Sequence, residues 1–409
     1  WDINGDKSLI LRGGTGVFTG RIPLVFFTNM PTNAGMLQNT ASITRASDLA
    51  VLEGGLITDV NQMISTLGLP TAPNYATEAD ISRATVVGID PGFKLPQLWK
   101  NAIAVDYQLP IEMPITLTVE GMLNKDINAV CMENYNVVDP SGLATFAGPD
   151  NRLDYGNKDA AMVSSRVTSG AIVLKNTSEG YSGTANIMVT AQPVTNMNLM
   201  ASYTYTVAKE ISGNPGSQAY SAWNNLPSVD GPNLLDLHNS QYLTPNKVIG
   251  SFSYKFEYAK NLATNIGLYY AGYNTGMFSY MYSNDMNQDG QVSDLIYIPA
   301  SANELTFVDA NGFSADEQAT AFWKFVEQDA YLSKHKGEYA EAYGAKMPWL
   351  NRIDLKITEE FKIKAGATVN TLQVSLDILN FGNLINSGWG LIQSSSPSNY
   401  GKILKYEGK

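Results

Sequence analysis

Residues 285–294 read Asp-Met-Asn-Gln-Asp-Gly-Gln-Val-Ser-Asp and place oxygen-bearing side chains at alternate positions, Asp285, Asn287 and Asp289, just ahead of Gly290. That is the first half of an EF-hand-type calcium loop. In such a loop alternate side chains turn inward onto a hard cation, and a glycine makes the sharp turn. Gln291 would add a backbone carbonyl and Asp294 a late carboxylate. The bidentate Glu that normally closes the loop is missing, because its position holds Ile296. No paired helix–loop–helix surrounds the segment, so the expectation is a structural calcium that stiffens a long loop rather than a signalling site. The competing reading is an Asn/Asp/Gly-rich turn that holds no metal and forms by turn chemistry alone.

Little else in the chain could do chemistry. There are two His, His238 and His335, and one Cys, Cys131, in 409 residues. A zinc site or a Ser–His–Asp arrangement is poorly supplied by that set, and a single cysteine forms no internal disulfide. No catalytic residues are assigned, no cofactor is required, and the chain does not read as an enzyme. Aromatic residues in the polar segments, Phe26, Phe27, Trp223, Trp323 and Trp349, are candidate stacking platforms for a glycan or peptide. The same residue types also pack loops. Trp99 and Trp389 fall near strand ends, where an aromatic girdle would lie.

The elements that must position these residues are strands. Only 16% of residues are charged, against roughly 25% in typical soluble domains, and there are 22 Tyr. A net charge of −11 argues against nucleic acid as a partner, since holding a phosphate backbone needs an extended basic surface. No apolar run approaches the roughly eighteen residues of a transmembrane helix. The segment 199–207, LMASYTYTV, sets Leu199, Ala201, Tyr203, Tyr205 and Val207 against Met200, Ser202, Thr204 and Thr206. Successive strand side chains point to opposite faces, so one face is apolar and the other polar. The same period runs through 101–109, 115–123, 247–258, 261–273, 352–358 and 371–379. Segments 8–18 and 183–194 fit less cleanly, which makes nine strands.

The connections alternate as well. Those at 110–114, 195–198, 259–261 and 364–368 are very short. Those at about 19–97, 131–170, 208–245 and 277–350 are long and polar. Loops of that length are rare in a compact soluble domain. An outer-membrane β-barrel has tight turns at its periplasmic rim and long loops at the cell surface, and lipid meets the apolar face. The predicted fold is therefore all-β, an antiparallel transmembrane barrel with short helices in its extracellular loops. A secreted carbohydrate-binding β-sandwich is the soluble alternative. The polar face carries Glu120, Lys247, Lys255, Asp354, Lys356 and Asp377, which are expected to pair with one another or with lumen contents. In the loops, Ser314 and Glu317 form a capping box with Phe313 placed as a staple. The stretch ending at Gly68 and Pro70 reads as a helix with a glycine stop. A tenth strand should descend after the loop beginning at 380–390, but 400–409 supplies at most the beginning of one.

Four stretches resemble the C-terminal part of TonB-dependent outer-membrane transporters, most closely the Oar-like, SusC-related branch of Bacteroidetes-type bacteria. They are LILRGGTGVFTGRIP at 9–23, VLKNTSEGYSGTANIMV at 173–189, DMNQDGQVSDLIYIP at 285–299 and LDILNFGNLINSGWG at 376–390. The resemblance implies that residues 1–409 supply about strands 13–21 of an expected 22-stranded barrel. The plug, the first strands and the TonB-contacting box would lie outside this chain. It also implies a multi-pass location in the cell outer membrane, and TonB, outer-membrane lipid and a surface lipoprotein lid as partners. The implied function is TonB-dependent import of a nutrient, peptide or glycan. A passive porin or adhesin barrel is the alternative within the membrane class.

Overall fold

The computed structural model describes residues 1–33, 50, 55, 57–69, 85–165, 167, 170–392 and 401–407. Its frame is one antiparallel sheet of nine long strands: β1 (Leu9–Thr19), β2 (Gln97–Gln108), β3 (Ile115–Asn134), β4 (Tyr181–Ala191), β5 (Met197–Glu210), β6 (Asn246–Ala259), β7 (Leu262–Asn274), β8 (Trp349–Ala365) and β9 (Thr368–Ile378). Each pairs with its neighbour in the sequence, from β1 through to β9. All nine are the strands expected from the alternation. The tight turns stand at one rim. Two of them use a left-handed residue, Asn196 at φ 69 and Gly366 at φ 63, types that tolerate this region.

The register aligns like with like. Leu11, Val105, Val119, Ile187, Tyr203 and Val248 form one continuous row across six strands. Tyr254, Ile266, Ile357 and Leu376 form another. These rows are not a core. Val119 is 46% exposed, Ile187 51% and Tyr203 44%. Among the described residues no second sheet covers this face, which removes the β-sandwich alternative. Withdrawing a Val, Ile, Leu or Phe side chain from water contributes about 1.5–3 kcal/mol, so a surface of this extent demands an apolar surrounding.

The opposite face is polar and internally paired. Arg12 meets Asp106 at 2.6 Å, Lys255 meets Glu360 at 2.6 Å, Arg352 meets Asp354 at 2.9 Å and Lys356 meets Asp377 at 2.9 Å. Thr118 donates to Asp106 at 2.7 Å, and the Asn186 amide donates to Ser202 and Thr204. Of the six residues expected to pair with one another or with lumen contents, Lys356 and Asp377 pair with each other, whereas Lys255 and Asp354 take partners outside that set, Glu360 and Arg352. Lys247 lies over the Tyr273 ring instead, and Glu120 sits in the same polar row as Asn186, Thr204 and Lys247.

Buried apolar side chains gather beyond the other rim. The outer half of β3 leaves β4 and pairs with a short strand, Ala171–Thr177, which pairs in parallel with Val86–Ile89. This is why β3 runs past the end expected from its alternation. Two helices, α1 (Val25–Asn33) and, later in the chain, Ala219–Asn224, complete a lobe around Phe26, Val87, Met132, Ile172, Leu174 and Trp223. A second lobe is built from the connection between β7 and β8, around Tyr280, Ile296, Ile298, Phe322, Val326 and Leu332. Its main helix, Ala315–Gln328, carries the expected capping box, with the Ser314 amide donating to Glu317 at 2.9 Å. The expected staple is absent. Phe313 is 60% exposed because the position it would pack on is Gln318, whose amide donates to the carbonyls of Val308 and Phe313. The helix Val60–Leu67 stops at Gly68, φ 62, as expected, and Pro70 lies outside the described residues.

The C-terminal segment corrects one expectation. Lys402–Leu404 does not begin a descending strand. It adds in parallel to Met281–Tyr282 within the second lobe, and Ile403, Leu404 and Tyr406 pack on that lobe's core. Residues 393–400 lie outside the described residues.

The two faces should respond differently to charge. Ile187→Arg is expected to cost about 2–4 kcal/mol of folding free energy in lipid vesicles. Ser251→Arg, on the polar face, should cost much less. Urea titration followed by tryptophan fluorescence measures both, and equal losses would mean that the exposed rows do not face lipid.

Candidate functional site

The 285–294 segment lies at the junction of the two lobes and is more deeply buried than a surface turn. Asn287 is fully buried, Asp294 is 1% exposed, Gln291 6% and Asp289 7%. Backbone hydrogen bonds anchor it, among them Ser228 N–H to Ser293 O at 3.2 Å. Tyr155 N–H donates to Asn287 O at 3.0 Å, Tyr282 N–H to Asp294 O at 2.8 Å, and Leu295 N–H to Ser228 O at 2.9 Å. Gly290, at φ 91, makes the turn for which its position was singled out, and Gln288 at φ 64 shares the left-handed region.

The side chains turn inward. Asp285 Oδ2 accepts from Gly290 N–H at 2.9 Å, Asn287 Oδ1 from Asp289 N–H at 3.0 Å, and Asp289 Oδ1 from Gln291 N–H at 2.7 Å. Asp294 Oδ2 closes the segment by accepting from Met286 N–H at 2.7 Å. Two buried oxygens have no hydrogen-bond partner: Asp285 Oδ1 and Gln291 Oε1. Asp289 and Gln291 also line a polar cavity of about 30 Å³ with Asn134, Asn136, Lys158 and Tyr220. That is room for one water-sized occupant.

Crowding three carboxyls here perturbs their ionisation. Burial, then the charge of Asp285, pushes Asp289 up to about 7. Burial, then the charge of Asp289, holds Asp294 well above the usual carboxylate range, and burial raises Asp285. Each shift means that the anion lacks a sufficient counter-charge. Among the described residues no three His, Cys, Asp or Glu side chains are arranged to hold a metal by themselves. Any cation here would need the amide and carbonyl oxygens as well.

A neighbour that sequence reasoning missed is Arg152. Its side chain is fully buried, paired with Asp150 at 2.8 and 3.0 Å, and donates to Leu295 O at 2.6 Å. The guanidinium lies 5.2 Å from the Tyr282 ring centre and 5.3 Å from that of Tyr339, while Nη1 has no partner. Tyr282 and Tyr339 hydroxyls both donate to Asp150. A second missed group is the asparagine junction. Asn233 Oδ1 accepts from Trp223 Nε1 at 2.8 Å and Asn134 N–H at 2.9 Å, and its amide donates to Asn134 O at 2.8 Å. Asp150 and Trp223 are near in the chain, but the partners that bury each group, Leu295, Tyr282 and Tyr339 for the Arg152–Asp150 pair and Asn134 for Asn233, lie about a hundred residues or more away.

The five aromatic candidates separate. Phe26 and Trp223 are buried in the first lobe's core, and Phe27 packs against it. Trp323 packs on the second core with Lys336 4.6 Å above its ring. These four serve packing and do not converge on one platform. Trp349 is 40% exposed, and its Nε1 donates to Asn351. Trp99 is exposed at a strand end with its Nε1 on Thr15, whereas Trp389 folds over Gly382. His238 is buried on the Ile211 and Asn239 carbonyls, and His335 contacts Glu338, so neither faces a nucleophile.

A nine-strand sheet with an uncovered apolar face, a paired polar face and lobed loops at one rim defines a membrane β-barrel domain. The family model of the outer membrane beta barrel domain matches residues 1–408, and the chain belongs to that family. No curated protein matches. Among solved structures, the chain is similar to the outer membrane transporter YddB from Escherichia coli. The identity is 10% and the TM-score 0.40, over 94% of this chain and 36% of that one. This chain therefore spans just over a third of that transporter's length.

Removing one member of the buried Arg152–Asp150 pair leaves the other uncompensated. Arg152→Met should destabilise the second lobe by about 3–5 kcal/mol, and adding Asp150→Asn should recover part of the loss. Limited proteolysis of the folded protein reads both. A single variant as resistant as the parent would mean that the pair does not hold the lobes together.

Proposed function

We propose that this chain is the C-terminal barrel portion of a TonB-dependent transporter of the Oar-like, SusC-related branch. It imports a nutrient, peptide or glycan, across the outer membrane. The observation that carries this reading is the loop layer. The long connections of one rim fold into two lobes, each with its own core, joined by a buried polar junction. A structured layer of this kind offers a solute a surface for capture, whereas a passive pore works with an open mouth. The polar inner face, with its cross-strand ion pairs, suits a lumen that must pass a hydrophilic cargo. The four stretches that resemble the family bring in TonB, contacted through a region N-terminal to this chain, and a surface lipoprotein that closes over the lobes. The test uses cells with and without the gene, fed isotope-labelled oligopeptides or oligosaccharides. Accumulation of one class should fall to background in the deletion strain, and a protonophore should reduce the parent strain to the same level. Accumulation that depends on the gene but ignores the protonophore would replace this reading with a passive porin.

We further propose that the 285–294 segment holds one structural calcium ion, with oxygens from Asp285, Asn287, Asp289 and Asp294 and the backbone carbonyl of Gln291. Two buried unpartnered oxygens, and three carboxyls held above their usual ionisation range by burial, with repulsion adding at Asp289 and Asp294, support this. A cation would supply the missing counter-charge and relieve both. At a concentration a hundred times its dissociation constant, such an ion adds about 2.7 kcal/mol to the state that binds it. The second lobe should therefore resist proteolysis better in millimolar calcium than in chelator, and Asp285→Ala with Asp289→Ala should abolish the difference. Equal digestion of the parent protein in both conditions would leave only an Asx-rich turn.

A further inference from the structure

The apolar face of the sheet carries a hollow, and two lysines stand directly above it. Register places Ile103, Gly121, Ala185 and Tyr205 in one row, and Asn101, Leu123, Gly183 and Val207 in the next row toward the long loops. Gly121, Gly183 and Ala185 lack the bulk of their neighbours. The result is a hollow of about 450 Å³ walled by Ile103, Leu123, Tyr205 and Val207. That is the size of a ligand pocket, yet it opens on the face that meets lipid.

The row above it reads Trp99, Lys125, Tyr181, Lys209. All four share the face of the hollow, since they stand two residues further along each strand. Lys125 Nζ donates to the carbonyls of Ser178 and Gly180 at 2.6 and 3.1 Å, neutral partners that leave its charge intact. Lys209 has no ion-pair partner among the described residues. Their acidic sequence neighbours, Asp126 and Glu210, alternate to the other face and form no salt bridge with them, although the Lys125 charge reaches the Asp126 carboxyl beside Gly180. The two lysines flank Tyr181, so their strands stand about 10 Å apart, within reach of one head group. Two lysines without a salt bridge among the described residues thus share one face in a chain of net charge −11.

We propose that the hollow and the lysine pair bind one outer-leaflet lipid that carries a phosphate-bearing head group. Its acyl chain fills the space over Gly121, Gly183 and Ala185. Its phosphate lies between Lys125 and Lys209, and Trp99 and Tyr181 sit at head-group depth. An apolar slot alone would take any chain, and two lysines alone any anion. Stacked one pleat apart, they select a molecule with both. This inference rests on the membrane-facing reading of the sheet and not on what the protein imports, so the transport test and this one fail separately.

The test is native mass spectrometry of the full-length protein in neutral detergent, titrated with bisphosphorylated lipid A or with its dephosphorylated form. The parent should retain one copy of the phosphorylated lipid and bind the other far more weakly. Lys125→Gln with Lys209→Gln should weaken retention by about 5- to 30-fold. Ala185→Leu, which fills the hollow and leaves both lysines, should weaken it independently. Equal binding of the two lipids by the parent overturns the proposal without any variant, and so does retention unchanged by both substitutions.

Discussion

A membrane interior offers no water to a backbone amide, and the whole chain is arranged around that constraint. Every N–H and C=O in the spanning region must find a partner within the protein, which paired strands provide; among the described residues no helix is long and apolar enough to cross a membrane. Once strands are paired, alternation fixes the rest. The face toward lipid must be apolar along its full length, and the other face is free to hold charge. The row from Leu11 to Val248 and the pairs Lys255–Glu360 and Lys356–Asp377 are two consequences of that one requirement. A slip of one residue would turn a strand's polar row, such as Lys255 of β6 or Lys356 of β8, toward lipid, so the register is strongly specified.

The same constraint places the hydrophobic cores. In a soluble β protein the apolar strand face is the core. Here that face is given to the membrane, and the loops must supply their own packing. They do so with Phe26, Ile172, Leu174 and Trp223 in one lobe and with Ile296, Ile298, Phe322 and Val326 in the other. Polar groups join the lobes where apolar packing ends. Asn233 ties Trp223 to Asn134, Arg152 lies between two tyrosine rings on Asp150, and the acidic segment 285–294 is anchored to Ser228 and Tyr155. The junction is the least neutral part of the buried structure, and it is where a bound ion would change stability most.

Aromatic residues show how far type alone misleads. Trp223 and Trp349 look alike in the sequence, each in a polar stretch with Asn nearby. One is buried and hydrogen-bonded to Asn233, while the other remains exposed at the end of β8. The staple expected at Phe313 failed for a local reason, because Gln318 occupies the position it would pack on. The strand expected near the C-terminus became a parallel addition to Met281–Tyr282, a pairing with a segment about 120 residues earlier.

What the sequence determined by itself was periodic or local. Nine alternating segments, four tight turns, the Ser314–Glu317 cap, the Gly68 stop and the turn at Gly290 were legible because each depends on residues within a few positions. Tertiary structure alone decided which distant groups meet. The Arg152–Asp150–Tyr339 cluster, the Asn134–Asn233 junction, the hollow under Lys125 and Lys209, and the burial that shifts Asp289 and Asp294 all join segments far apart in the chain. The physical reason is that alternation is written into each strand, whereas burial and long-range charge depend on the environment the finished fold builds around a side chain.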